Sequence, residues 1–275
     1  MTKIRIGHSP DPDDAFMFWG FASGQVEIPG HEIEHVLRDI QGLNELARGA
    51  DPLEVTALSL HAFLGLERRY EWLEVGSSVG RGYGPRLVAP GPVALESLRG
   101  ARVALPGPDT TATLAARGLL APFREVHLAF TEIMDAVRQG RVDAGVLIHE
   151  GQLTYADEGL CLVADLGELF AKRHGGLPLP LGVNCARRDL APALRREIAS
   201  AYRRSVELAL AQRDEAVDYA LEFGRGLARD LADTFVGMYV NEDSLALRDD
   251  LREAVAVLRE QYGRHVSASS RGDAS

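Results

Sequence analysis

Short apolar runs rich in β-branched residues alternate with helical patterns from Ile4 to Ala186, and this alternation limits the fold more than any single motif. Runs at 4–7, 33–37, 55–58, 72–75 and 86–89 read as strands. The turn His8-Ser9-Pro10-Asp11-Pro12-Asp13-Asp14 leads into a helix carrying Phe16, Met17 and Trp19, with Asp13 or Asp14 expected as its cap. Asp39 opens a second helix, with Ile40, Leu43 and Leu46 on one face and Gly49 at its end. Pro90-Gly91-Pro92 interrupts the pattern, which then restarts with strands at 101–105, 126–129, 144–148 and 160–164. Helices are expected after Thr110 and Thr131 and around 166–173. A second break, Gly175-Gly176-Leu177-Pro178-Leu179-Pro180-Leu181-Gly182, precedes a strand at 183–186, and nearly everything from Asp189 onward is helical.

Such alternation implies parallel sheets covered on both faces. The two breaks isolate a middle block, so the expected α/β architecture has two lobes. Residues 1–90 and 183–275 form the larger, with the C-terminal helices returning to it. Residues 91–182 form the smaller, and a ligand cleft lies between the lobes. Residues 267–275 are small and polar and read as a disordered tail.

A formal charge of -10 argues against a nucleic-acid binder, whose phosphate contacts need a basic face. Cys161 and Cys185 have no metal-ligand spacing, no stretch reaches the length of a membrane span, and no leader pattern precedes the first strand. A cytoplasmic setting is expected. The oligomeric state is open between monomer and homodimer.

In an open α/β sheet, ligands bind outside the carboxyl ends of the strands. His8 and Ser9, Ser59, Thr110 and Thr111, and His149 all stand there. His149 follows the buried run Ala144-Gly145-Val146-Leu147-Ile148, and an imidazole exchanges protons near neutrality. It reads as a general base or as a hydrogen-bonded surface histidine. Thr110-Thr111 begins a helix after Pro106-Gly107-Pro108-Asp109, which suits either an anion or plain capping. His8 with Asp11, Asp13 and Asp14 invites a metal, but the spacing fits no EF-hand or zinc pattern, and Pro10 and Pro12 with capping aspartates account for the turn. No metal is expected. Gly80-Arg81-Gly82-Tyr83-Gly84-Pro85 is glycine-rich without a strand–turn–helix context, so it reads as a flexible segment from which Arg81 or Tyr83 could touch substrate. His31, His35, His61, His127, His174 and His265 read as structural or solvated.

Several of these stretches recur in one family and in this order. His8-Ser9-Pro10-Asp11-Pro12-Asp13-Asp14-Ala15-Phe16-Met17-Phe18, Thr56-Ala57-Leu58-Ser59, Pro106 to Ala112, Val146 to Glu150 and Leu177 to Gly182 resemble the 1,4-dihydroxy-6-naphthoate synthases of the futalosine route to menaquinone. The resemblance implies a type II periplasmic-binding-protein-like fold serving as a carbon–carbon lyase, with cyclic dehypoxanthine futalosine, a small anionic aromatic compound, as substrate and no cofactor. It also implies His149 as general base, and substrate contacts at Ala57, Leu58 and Ser59 and at Thr110 and Thr111. Two departures stand out: Asp11-Pro12-Asp13-Asp14 where the family often has Cys-Pro-Asn-Asp, and Ala57 where a lysine can stand. A solute-binding protein for a small anion is the alternative of a different class.

Overall fold

The computed structural model describes residues 2–223 and 226–272. In chain order the first elements are β1 (Thr2–His8), α1 (Pro12–Ala22), β2 (His31–Leu37), α2 (Ile40–Arg48), β3 (Val55–Ser59), α3 (Leu60–Leu64), β4 (Tyr70–Trp72) and β5 (Ser78–Gly80). Next come β6 (Arg86–Ala89), β7 (Arg102–Leu105), α4 (Thr111–Leu119), β8 (Arg124–His127), α5 (Ile133–Arg138), β9 (Ala144–Leu147), α6 (Gly151–Thr154), β10 (Cys161–Asp165) and α7 (Leu166–Arg173). The chain ends with β11 (Leu179–Arg187), α8 (Pro192–Ala211), α9 (Arg213–Leu221), α10 (Arg229–Tyr239), α11 (Glu242–Leu245) and α12 (Asp249–Gly272). Among the described residues no helix is long and apolar enough to cross a membrane.

Two compact units result: Met1–Val79 with Leu181–Leu247, and Gly80–Pro180 with Arg248–Ser275. The boundaries differ from those expected near Pro90 and Gly182, because β6 is an interior strand of the second sheet, between β10 and β9. The last helix differs too. Whereas α8 to α10 pack on α1 as expected, α12 packs on α4 in the second unit, where the Gln261 amide lies against Gly118. Of the expected tail, residues 267–272 continue α12 and residues 273–275 lie outside the described residues.

The first unit's sheet runs β2-β1-β3-β11-β4, with β5 also on β11. β1 is parallel to β2 and β3, but β11 is antiparallel to β3 and β4. The second unit's sheet runs β10-β6-β9-β7-β8, with β7 parallel to β8 and β9, and β6 antiparallel to β9 and β10. Neither sheet is wholly parallel, contrary to expectation. An apolar run fixes that a strand is buried but carries no sign of its direction.

α1 is buried around nearly its whole circumference and apolar beyond its first turn, with Phe16, Met17 and Phe18 fully buried, as befits a helix enclosed on all sides. Gly20 allows α8 to come close: a Cβ there would lie 2.8 Å from the Ser205 Cα, and the Ser205 hydroxyl accepts from the Gly20 N–H at 3.1 Å. In the second unit, Ile133, Ala136 and Val137 of α5 seal against Val88, Ala104 and Leu147 of the sheet. Thr131, expected as the α5 cap, instead sits within a short 3-10 turn, Phe130–Glu132, that enters the helix.

Candidate active site

In the first unit the pairing of Ile6 with Val55 and Gly7 with Thr56 brings the carboxyl ends of β1 and β3 side by side. His8, Ser9 and Ser59 therefore emerge at one edge. All three are buried.

The His8 ring stacks on Phe18, with centroids 4.2 Å apart. Its Nδ1 lies 3.0 Å from the Ser9 carbonyl, and a carbonyl only accepts, so Nδ1 carries the hydrogen. Nε2 must then accept, and its partner is His35 Nδ1 at 3.1 Å. Burial, reinforced by His35, pushes the His8 pKa down to about 4. His35, read from sequence as structural or solvated, thus pairs with a strand-end histidine, and burial lowers its pKa as well.

A pH dependence follows. Unfolded His8 takes up a proton as pH falls through 6.5, whereas the folded protein resists until about 4. The unfolded state binds more protons in that window, so stability falls as pH drops from 6.5 toward 4, by on the order of 3 kcal/mol for full burial. Chemical denaturation at intervals across this range should show the loss in the native chain and a flatter slope in His8→Phe. Equal slopes would contradict the assignment.

The aspartate-rich turn is arranged differently from expectation. Asp11, not Asp13 or Asp14, occupies the N-cap position with extended backbone, because Pro12 takes the first helical position. Asp14 Oδ2 accepts from the Ser9 N–H at 2.9 Å, and Asp13 Oδ2 accepts from the Ser78 hydroxyl at 3.3 Å. Among the described residues no group of three or more His, Cys, Asp or Glu side chains is arranged to hold a metal ion.

At the end of β3, Ala57 packs its methyl with Leu43 and Leu53 beneath α2, and Leu58 is fully buried. Any ligand contact from these two falls to the backbone. Ser59 is the polar member of the trio, and Asn44 of α2 bonds it twice: Ser59 N–H to Oδ1 at 3.0 Å and Nδ2 to Ser59 Oγ at 3.1 Å. In the sequence the signal for Asn44 is a polar residue beside the apolar stripe of Ile40, Leu43 and Leu46, which suits a buried polar role.

In the second unit the pairing of Val103 with Ala144 sets β7 beside β9, so the loop before α4 and the segment after β9 leave adjacent strands. Thr110 is the N-cap of α4. Its Oγ1 accepts from the Thr113 N–H at 3.2 Å and donates to the Gly107 carbonyl at 3.0 Å, so the capping alternative holds for its hydroxyl. Thr111 opens the helix and is buried beside it.

His149 lies beyond β9, half-buried, with a left-handed φ of 54°. Few non-glycine residues adopt this region, and those that do cluster at functional sites. The left-handed residue swings the chain from β9 into α6, the Gln152 N–H donating to the His149 carbonyl at 3.1 Å. The ring edge meets Phe130, with centroids 4.9 Å apart. Gly145 lets α5 approach β9 just before this turn: a Cβ there would lie 2.8 Å from Val137 Cγ2.

Arg81 forms an ion pair with Asp250 of α12 at 2.7 Å, which gives this candidate substrate contact a structural partner. Of the glycines around it, Gly80 and Gly84 serve close backbone packing, while Gly82 takes a left-handed φ of 75°. Gly84 lies against Gly167 at the start of α7, and the Leu166 N–H donates to the Pro85 carbonyl at 2.9 Å.

Two mixed sheets, each with polar residues at the carboxyl ends of its parallel strands, define a two-lobed periplasmic-binding-protein-like α/β protein. The alkanesulfonate-binding protein of Xanthomonas axonopodis shares this fold with a TM-score of 0.66 at 15% identity, covering 87% of this chain and 84% of that one. A crystal structure of an Archaeoglobus fulgidus protein is far more similar: TM-score 0.90 and 44% identity over 96% of this chain and 97% of that one. The 1,4-dihydroxy-6-naphthoate synthase of Thermus thermophilus is 42% identical over 98% of both chains, and that of Streptomyces coelicolor is 37% identical over 90% of this chain and 88% of its own. The menaquinone biosynthesis family profile matches residues 4–264, and the chain belongs to that family.

Proposed function

We infer that this chain is a carbon–carbon lyase of menaquinone biosynthesis, converting cyclic dehypoxanthine futalosine into 1,4-dihydroxy-6-naphthoate. The observation that carries the reading is the near-full-length match to two synthases of that reaction. The substrate is a small aromatic carboxylate.

His149 is proposed as the general base. It removes a hydroxyl proton from the cyclised substrate, and the electrons released cleave the carbon–carbon bond, expel the sugar-derived fragment and leave the ring aromatic. Aromatisation supplies driving force, so the protein has chiefly to orient the ring and manage one proton. The first turn of α4 suits the substrate carboxylate, since its N–H groups and helix dipole favour an anion while Thr110 holds the turn in place. Ser59 is assigned a hydrogen bond to a substrate oxygen. His8, neutral and packed on Phe18, supports the Ser9 backbone. Residence in the cytoplasm is proposed on the support of two unpaired cysteines, Cys161 and Cys185, and cell fractionation tests it.

Incubating the purified protein with cyclic dehypoxanthine futalosine and following the mass spectrum should show 1,4-dihydroxy-6-naphthoate accumulating. Reversible binding without product would favour a solute-binding protein instead.

A further inference from the structure

The two hydrogen bonds between Asn44 and Ser59 determine which way the serine hydroxyl can point. A backbone N–H only donates, so the carboxamide atom 3.0 Å from the Ser59 nitrogen must be Oδ1. The other atom, 3.1 Å from Ser59 Oγ, is then the amide nitrogen, which only donates, and Oγ is its acceptor. The hydroxyl hydrogen is thereby turned away from Asn44, and it meets no acceptor among the described residues. Asn44 is fully buried and Ser59 is 3% exposed, so bulk water does little to relax this arrangement. β3 is also held by β11, with Ser59 opposite Gly182, which fixes the backbone that carries the hydroxyl.

We propose that Asn44 is a positioning residue of the reaction, occupying a lone pair of Ser59 Oγ and leaving its hydroxyl hydrogen available to donate, so that the subsite favours an acceptor oxygen of the substrate, a carbonyl or carboxylate, over a hydroxyl donor. The proposal rests on the reading that Ser59 contacts substrate. It assigns Asn44 no contact with the substrate itself.

Asn44→Asp is the sharpest test, because it keeps shape and reverses polarity. One carboxylate oxygen still accepts from the Ser59 N–H, while the other now accepts the hydroxyl hydrogen, so Ser59 presents a lone pair to the substrate. KM should rise about tenfold or more, with kcat changed much less and the melting temperature near native. Ser59→Ala should raise KM comparably, and the double variant should be little worse than either single one, since both remove the same hydrogen bond. Should Asn44→Asp fail to fold, Asn44→Ala is read instead. Its smaller rise in KM should vanish in the Ser59→Ala background.

Two outcomes overturn the proposal. If Ser59→Ala raises KM while folded Asn44→Asp does not, or if the two effects multiply, Asn44 does not act through Ser59. If Ser59→Ala leaves KM and kcat native in a protein that turns the substrate over, Ser59 makes no substrate contact and the positioning role falls with it; lyase activity in the native chain would still stand.

Discussion

His149→Asn should lose roughly 10²- to 10⁴-fold in turnover while the protein keeps its fold, the usual contribution of one positioned general base. Asparagine is chosen for the backbone. His149 has a φ of 54°, a conformation that costs most L-residues roughly 1–2 kcal/mol and that asparagine tolerates best after glycine. The substitution removes the imidazole while preserving the turn from β9 into α6, and the circular dichroism spectrum and melting temperature should stay near native. His149→Gly carries the same reasoning further. It relieves the left-handed strain at the expense of the contact with Phe130, so it should melt no lower than the native protein although it is equally inactive. Near-native turnover in either variant would remove His149 from the chemistry.

Gly167→Ala should be among the most damaging single methyl additions in the second unit. A Cβ at Gly167 would fall inside the van der Waals envelope of the Tyr83 carbonyl and 2.7 Å from the Gly84 nitrogen. These are backbone atoms, pinned further by the bond from Leu166 N–H to the Pro85 carbonyl, so no side-chain rotation relieves the clash. A loss of roughly 3 kcal/mol or more is expected, at the upper end of ordinary overpacking, with a fall in melting temperature on the order of 10 °C. Gly91→Ala is the control, because a Cβ there meets nothing within 4 Å. It should melt like the native chain. Equal melting of the two variants would contradict the backbone-to-backbone packing of Tyr83-Gly84 on Gly167.

What the sequence disclosed and what it hid divide along physical lines. Burial and strand ends were legible: the apolar run before His149, the turn after β1 and the end of β3 all lie where the pattern placed them. Strand direction was not, since β6 is a short buried apolar run like those of the parallel pair β7 and β9, and such a run carries no sign of its direction. The Gly175–Gly182 break also contains the start of β11, because Leu179 and Pro180 enter the strand although proline usually marks a turn. At the site, sequence spacing singled out His8 and Ser59 but neither of their partners. His35 lies one strand away and Asn44 lies on a helix, and only tertiary packing brings them within 3.1 Å of the residues they hold. The left-handed backbone of His149 was equally invisible, because such a residue is ordinarily signalled by glycine or asparagine. The glycine-rich stretch 80–85 has the composition of a flexible segment, yet Gly84 packs closely against Gly167 of α7.

The most direct test is a single-turnover experiment with native protein in excess over cyclic dehypoxanthine futalosine, quenched at intervals and read by mass spectrometry. Complete consumption of the substrate, with 1,4-dihydroxy-6-naphthoate appearing in equal amount, is the expected result. Quantitative recovery of intact substrate from folded protein would contradict it.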